Sequence, residues 1–197
     1  MILALAAFLV GGLGAALLFG GTQYFSPGRV QQVSGKALVG GPFTLTSHTG
    51  KRVSDKDFRG RYMLVYFGFT FCPDICPAEL QVITNALEKL GPKGEKVVPI
   101  FITVDPKRDT VKQMADYVSN FHDRLVGLTG TPEEIRAVAR AYRVYFAEVK
   151  DESSSAGYTV DHTSIVYLMG PEGEYLTHFT YGTGPDKMAA GIAKHLR

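Results

Sequence analysis

Residues Tyr62 to Phe71 (YMLVYFGFTF) are almost wholly apolar, β-branched or aromatic, and they run directly into Cys72-Pro-Asp-Ile-Cys76. A short apolar run without alternation reads as a strand buried on both faces, which requires covering layers above and below it. After the second cysteine, Leu80, Ile83, Leu87 and Leu90 mark one face of a helix that Gly91-Pro92 ends. Val97 to Val104 (VVPIFITV) is a second buried strand, followed by Val111, Met114, Ala115, Val118 and Phe121 at helical spacing.

The same alternation continues downstream. Leu125 to Leu128 reads as a short strand. Thr131-Pro132-Glu133-Glu134 is a capping box with proline at the first helical position. Ile135, Val138, Ala139 and Tyr142 form that helix's apolar face, and Val144 to Val149 is another strand. The polar segment Lys150 to Tyr158 reads as a loop or hairpin. Ser164 to Met169 and Tyr175 to Tyr181 are strands joined by the turn Gly170-Pro171-Glu172-Gly173, and Pro185 to Leu196 is a closing helix. A short strand from Pro42 to Leu45, with a turn at His48 to Lys51, leads into the domain. Strands alternating with helices predict an α/β domain with a central mixed sheet, and ligand chemistry beyond the carboxyl ends of its strands. CPDIC sits at one of those ends.

The N-terminus is different in kind. Ile2 to Gly21 contains no charged side chain and is about as long as the roughly 20 residues a membrane helix needs. The expected organisation is a membrane anchor at 1–25, a Gly- and Pro-containing linker at 26–41 and one domain at 42–197. A cleaved signal peptide is the rival reading, but the run is longer than a usual signal core and no basic residue precedes it. Arg29 and Lys36, after the span, would by the positive-inside tendency put the domain in the cytoplasm. No arginine- and serine-rich transit peptide is visible. The formal net charge of +2, with Lys and Arg scattered, excludes an obvious nucleic-acid stripe.

The chain has only two cysteines, Cys72 and Cys76, so no disulfide scaffold is available. A cysteine near a helix N-terminus is biased toward thiolate, the form that attacks disulfides and binds soft metals. Placement after a strand and before a helix follows the thioredoxin pattern, although thioredoxin has two residues between its cysteines and this chain has three. Redox pair, metal ligand and small structural disulfide all remain open on that ground. His162, in Val160-Asp161-His162-Thr163, occupies the place opposite the cysteines where that fold usually has a proline. Two thiolates and an imidazole suit copper, and zinc less well. Asp161 is the nearest candidate to fix the imidazole tautomer. His48, His122, His178 and His195 read as structural, and Met169 as core.

FTFCPDICPAEL (69–80), TVDPKRDT (103–110) and VDHTSIVYLM (160–169) together resemble the Sco (SenC) family of copper proteins required for cytochrome c oxidase assembly. The resemblance implies a thioredoxin-like fold and copper, as Cu(I) or Cu(II), held by Cys72, Cys76 and His162. It implies an anchored domain facing the periplasm in bacteria or the intermembrane space in mitochondria, against the weak charge signal. It also implies delivery of copper to the binuclear site of oxidase subunit II, or reduction of that site's cysteines as a thiol–disulfide oxidoreductase. Asp74 is expected to tune the site, and Asp105 to shape an adjoining loop.

Overall fold

The computed structural model describes residues 38–152 and 157–197. The expected anchor and most of the expected linker lie outside them. Among the described residues no helix is long and apolar enough to cross a membrane.

The order of elements is β1 (Thr44–Ser47), β2 (Arg52–Ser54), β3 (Tyr62–Gly68), α1 (Ile75–Leu90), β4 (Val97–Thr103), α2 (Val111–Val118), β5 (Val126–Thr129), α3 (Pro132–Ala141), β6 (Phe146–Lys150), β7 (Tyr158–His162), β8 (Ile165–Met169), β9 (Tyr175–Thr180) and α4 (Pro185–Ala193). Seven strands form one mixed sheet in the order β2-β1-β5-β4-β3-β8-β9. The β3–β4 and β4–β5 pairs are parallel, while β1, β8 and β9 join antiparallel. Every residue of β3 and β4 is buried, which accounts for their unbroken apolar sequence. Their carboxyl ends therefore open at one edge of a solid core, and α1 leaves that edge.

Helix α1 buries Leu80, Ile83, Ala86 and Leu87 and packs against α4. Helix α3 starts with the expected box: Thr131 accepts from the Glu134 backbone and the Glu134 carboxylate accepts from the Thr131 N–H. Its first-turn carboxylates complement the positive helix end.

Two departures from the sequence reading matter for the site. The strand expected over Tyr62–Phe71 stops at Gly68, so Phe69 to Phe71 belong to the cysteine loop. The stretch read as a loop or hairpin is a hairpin, but its second strand, β7, runs on as far as His162, paired with β6 in a separate two-stranded sheet with Phe146 opposite His162. Only five residues long and largely polar at its tip, β7 carries a faint period-two pattern in which Val160 alone is buried.

Candidate metal centre

Gly68 ends β3, and the chain then turns through Phe69 to Pro73 into α1. A Cβ on Gly68 would lie 2.8 Å from Cys76 Sγ and 2.8 Å from the Phe101 ring. Absence of a side chain there lets the helix bring its cysteine onto the end of the strand. Asp74 stands at the N-cap of α1 without a side-chain capping bond, and Cys76 lies in the first turn. Asp109, fully buried, anchors the other side of the loop. Its carboxylate accepts from the Thr70 N–H (3.1 Å), the Thr70 hydroxyl (2.6 Å) and the Thr103 hydroxyl (2.5 Å). Burial still pushes the Asp109 carboxyl upward, partly offset by those bonds.

Both cysteines are free; Cys72 is half-buried and Cys76 has no exposed surface. The Cys76 N–H donates to Cys72 Sγ at 3.4 Å. The Cys72 thiol is lowered to about 5, first by the hydrogen bond from the Cys76 side chain and further by backbone N–H groups of Asp74 and Cys76. The Cys76 thiol is pushed far up, by the same bond and by burial. Of the pair, Cys72 is thus the sulfur biased toward thiolate and Cys76 the one that holds its proton.

His162 reaches the pair from the end of β7. Its Nε2 lies 3.4 Å from Cys76 Sγ, a contact between residues 86 positions apart. Its Nδ1 lies 3.2 Å from the Thr163 carbonyl, which can only accept, so Nδ1 carries the hydrogen and Nε2 the lone pair. The tautomer is therefore held by Thr163, not by the side chain of Asp161, which acts only as a nearby charge. Burial lowers the His162 pKa and keeps the ring neutral. Phe69 and Tyr66 meet the imidazole edge-on at 6.0 and 6.3 Å. A cleft of about 290 Å³ opens here, lined by Cys72, Asp74, Ile75, Asp161 and His162 among others. A larger hollow of about 550 Å³ lies elsewhere, beside Tyr62, Lys96 and Arg197, and contains none of these donors.

Among the described residues no three Cys, His, Asp or Glu side chains are gathered closely enough to hold a metal ion at once. Cys76 and His162 touch, and Cys72 adjoins them through the Cys76 backbone. Asp105 shapes the loop after β4: its backbone carbonyl accepts from the Arg108 and Asp109 N–H groups and its carboxylate takes Arg108 and the Tyr158 hydroxyl. The remaining histidines serve structure. His48 Nδ1 accepts from the Gly127 N–H, His122 Nδ1 from the Arg124 N–H, and His178 pairs with the Tyr175 hydroxyl. The His195 carbonyl accepts from Tyr62, and Met169 is fully buried.

Arg108, Asp109, Tyr158 and Glu79 surround the site without having been singled out. Two of them fall inside the motif TVDPKRDT, which was the available signal. Glu79, in α1 one turn past Cys76, is buried with one carboxylate oxygen unpartnered, and burial raises it to about 7. It falls inside the motif FTFCPDICPAEL, although helical periodicity alone does not distinguish it from an exposed glutamate.

An α/β domain with a central mixed sheet, a reduced Cys-x-x-x-Cys at the end of its buried strand and a neutral histidine against it defines a thioredoxin-like thiol centre. The chain belongs to the SCO1/SenC family, whose model matches residues 31–197. It is 49% identical over 170 residues to the mitochondrial SCO1 homolog of Homo sapiens, covering 85% of this chain and 56% of that protein. The chain spans about half the length of the curated relatives it matches. The crystal structure of Arabidopsis thaliana ScoI with copper bound superposes with a TM-score of 0.77 at 47% identity, covering 81% of this chain and 98% of that one. BsSco, 30% identical with a TM-score of 0.62 over 83% of this chain and 97% of that one, is described as a member of the Sco family of cytochrome c oxidase assembly proteins in which a disulfide switch was identified. Homologous Sco structures from Arabidopsis thaliana, Bradyrhizobium japonicum and yeast are copper-bound.

Proposed function

We propose that the chain binds one copper ion through Cys72, Cys76 and His162 and passes it on during assembly of the binuclear copper site of cytochrome c oxidase subunit II. The observation that carries this reading is the 3.4 Å approach of His162 Nε2, lone pair inward, to Cys76 Sγ. Exchange of disulfides needs no imidazole there, whereas two sulfurs and a neutral imidazole are a donor set suited to a soft ion. The copper-bound relatives support the same conclusion. Cys72 is ready as thiolate, and Cys76 must give up its proton when copper enters. The apolar run Ile2–Gly21 would hold the domain at the membrane, facing the periplasm or the intermembrane space.

A thiol–disulfide oxidoreductase is the second reading, favoured by the Cys72 thiol at about 5. Cys72 thiolate would attack a substrate disulfide, releasing one thiolate, and Cys76 would then resolve the mixed disulfide. Two thiols are oxidised here and one substrate disulfide is reduced to two thiols.

Copper stoichiometry and absorption of the reduced protein separate the two. One copper per chain with thiolate-to-Cu(II) charge-transfer bands, lost together with about a hundredfold or more of affinity in His162→Ala, is the expected result. Unchanged copper affinity in His162→Ala would remove the ligand assignment. Failure of wild type to bind copper, with rapid disulfide reduction, would establish the second reading.

A further inference from the structure

The β6–β7 hairpin delivers His162, yet it shares no strand pairing with the seven-stranded sheet. Most of β6 faces solvent. Besides the His162–Cys76 contact, two polar ties from the hairpin to the body of the domain among the described residues meet one short loop, the segment after β4. Lys107 pairs with Glu148 of β6 at 2.6 Å, but both partners are half exposed or more, so that pair is weak. Arg108 is placed differently. Its Nε binds the buried Asp105 carboxylate and its Nη1 donates to the Tyr158 carbonyl at 3.1 Å. Its guanidinium carbon lies 3.8 Å from the Tyr158 ring centroid, 4.9 Å from that of Phe71 and 5.7 Å from that of Phe69. Nη2 is buried with no hydrogen-bond partner, so ring faces are what that end of the group meets.

These contacts join two segments that no backbone ladder joins. Tyr158 starts β7, the strand that ends in His162. Phe71 immediately precedes Cys72, and Phe69 also meets the His162 ring. Tyr158 closes the arrangement by donating its hydroxyl to Asp105. A guanidinium is suited to this place: it is planar, always charged, and can stack and hydrogen-bond at once, which an ammonium cannot.

We propose that Arg108 is the positioning residue of the centre, clamping the His162 hairpin to the cysteine loop through the box of Phe69, Phe71 and Tyr158. Its consequence for copper rests on the metal-binding reading above; its consequence for the hairpin does not. Arg108 touches no donor atom and acts through Tyr158 and Phe71. Since all three donors must meet on one ion, the clamp sets where His162 stands relative to the cysteines and how often the hairpin opens.

The test uses the full-length, reduced, metal-free chain and its Arg108→Ala, Arg108→Lys and Phe71→Leu variants. Backbone hydrogen exchange is followed in Phe146–Lys150 and Tyr158–His162, with β3 and β4 as internal controls. Arg108→Ala is expected to speed hairpin exchange about tenfold while the β3 and β4 amides stay as in wild type. Arg108→Lys should not restore protection, and Phe71→Leu should give a smaller increase in the same direction. Wild-type hairpin protection in Arg108→Ala overturns the clamp. If that variant does not fold, wild-type protection in both Arg108→Lys and Phe71→Leu does so instead. Cu(I) competition is then read separately, with about tenfold weaker binding expected in Arg108→Ala. Failure of wild type to bind Cu(I) would sink the copper reading and leave the exchange result to decide the clamp. Copper affinity unchanged in an Arg108→Ala protein whose hairpin has loosened would overturn the positioning role.

Discussion

The two halves of the centre are built to opposite specifications. The cysteines grow out of β3 and α1, where every strand residue is buried and Gly68 lets sulfur, strand end and Phe101 meet at contact distance. The histidine stands on a two-stranded hairpin with a single buried strand residue, Val160, and is held by ties to the loop after β4 and by its own contact with Cys76. The sulfurs thus sit on the core of the domain, and the imidazole on a hairpin outside the main sheet. The transfer proposed above needs a centre that can open, because a cage closed on all sides would retain its ion.

The contrast is sharpest in stability. Leu64→Ala, in the middle of β3, removes a fully buried side chain and should cost about 2–5 kcal/mol. Val149→Ala, on the 40%-exposed face of β6, should stay within about 0.5 kcal/mol. Denaturant melts of both would break the comparison if the hairpin substitution cost as much as the core one.

The cysteine half can be tested by its own chemistry. Cys72 is a thiolate at neutral pH chiefly because Cys76 donates to it. Thiolate absorbance against pH should give a midpoint near 5 in wild type, and Cys76→Ala should move it up toward the ordinary range of about 8.5. An unmoved midpoint would mean that the helix N-terminus alone sets the thiolate.

Much of this was legible from residues alone. The buried strands, the capping box at Thr131, the start of α1 at the cysteines and the roles of His48, His122 and Met169 all follow from local patterns. What was not legible is informative. Strand β7 is short and polar, so its period-two signal is drowned, and no strand was expected where one presents His162. Asp161 was expected to orient the imidazole because it is next in sequence, but the Thr163 carbonyl does so, and backbone carbonyls leave no mark in composition. Arg108 and Glu79 lie inside the motifs TVDPKRDT and FTFCPDICPAEL, but what they touch shows only once elements far apart in sequence meet. Such contacts have no local period to read.

Glu79 extends the comparison to pH. Burial raises its folded pKa to about 7 from an ordinary value near 4.5. A raised carboxyl favours the native state below the unfolded value, and that advantage is lost as pH rises through the folded value. Stability should therefore fall between about pH 4.5 and 7 and level off above. Glu79→Gln should flatten that fall, leaving stability at pH 5 near wild type and raising it at pH 8 by about 1–2 kcal/mol. Urea melts at the two pH values decide; equal effects at both would show that the carboxylate is stabilised in the fold by something other than its charge state.

The smallest expected effect lies beside the largest tie on the hairpin. Lys107 and Arg108 are neighbours and both reach it, Lys107 through an exposed pair with Glu148 and Arg108 through a guanidinium that is largely buried, bonded to Asp105 and stacked on Tyr158. Lys107→Ala should change stability by no more than about 0.5 kcal/mol, and any change should vanish in 1 M salt, where exposed pairs are screened. Hairpin exchange in Lys107→Ala should stay within about twofold of wild type. Were Lys107→Ala to loosen the hairpin as much as Arg108→Ala, net positive charge on the loop, rather than the stacked guanidinium, would be what holds the histidine in place.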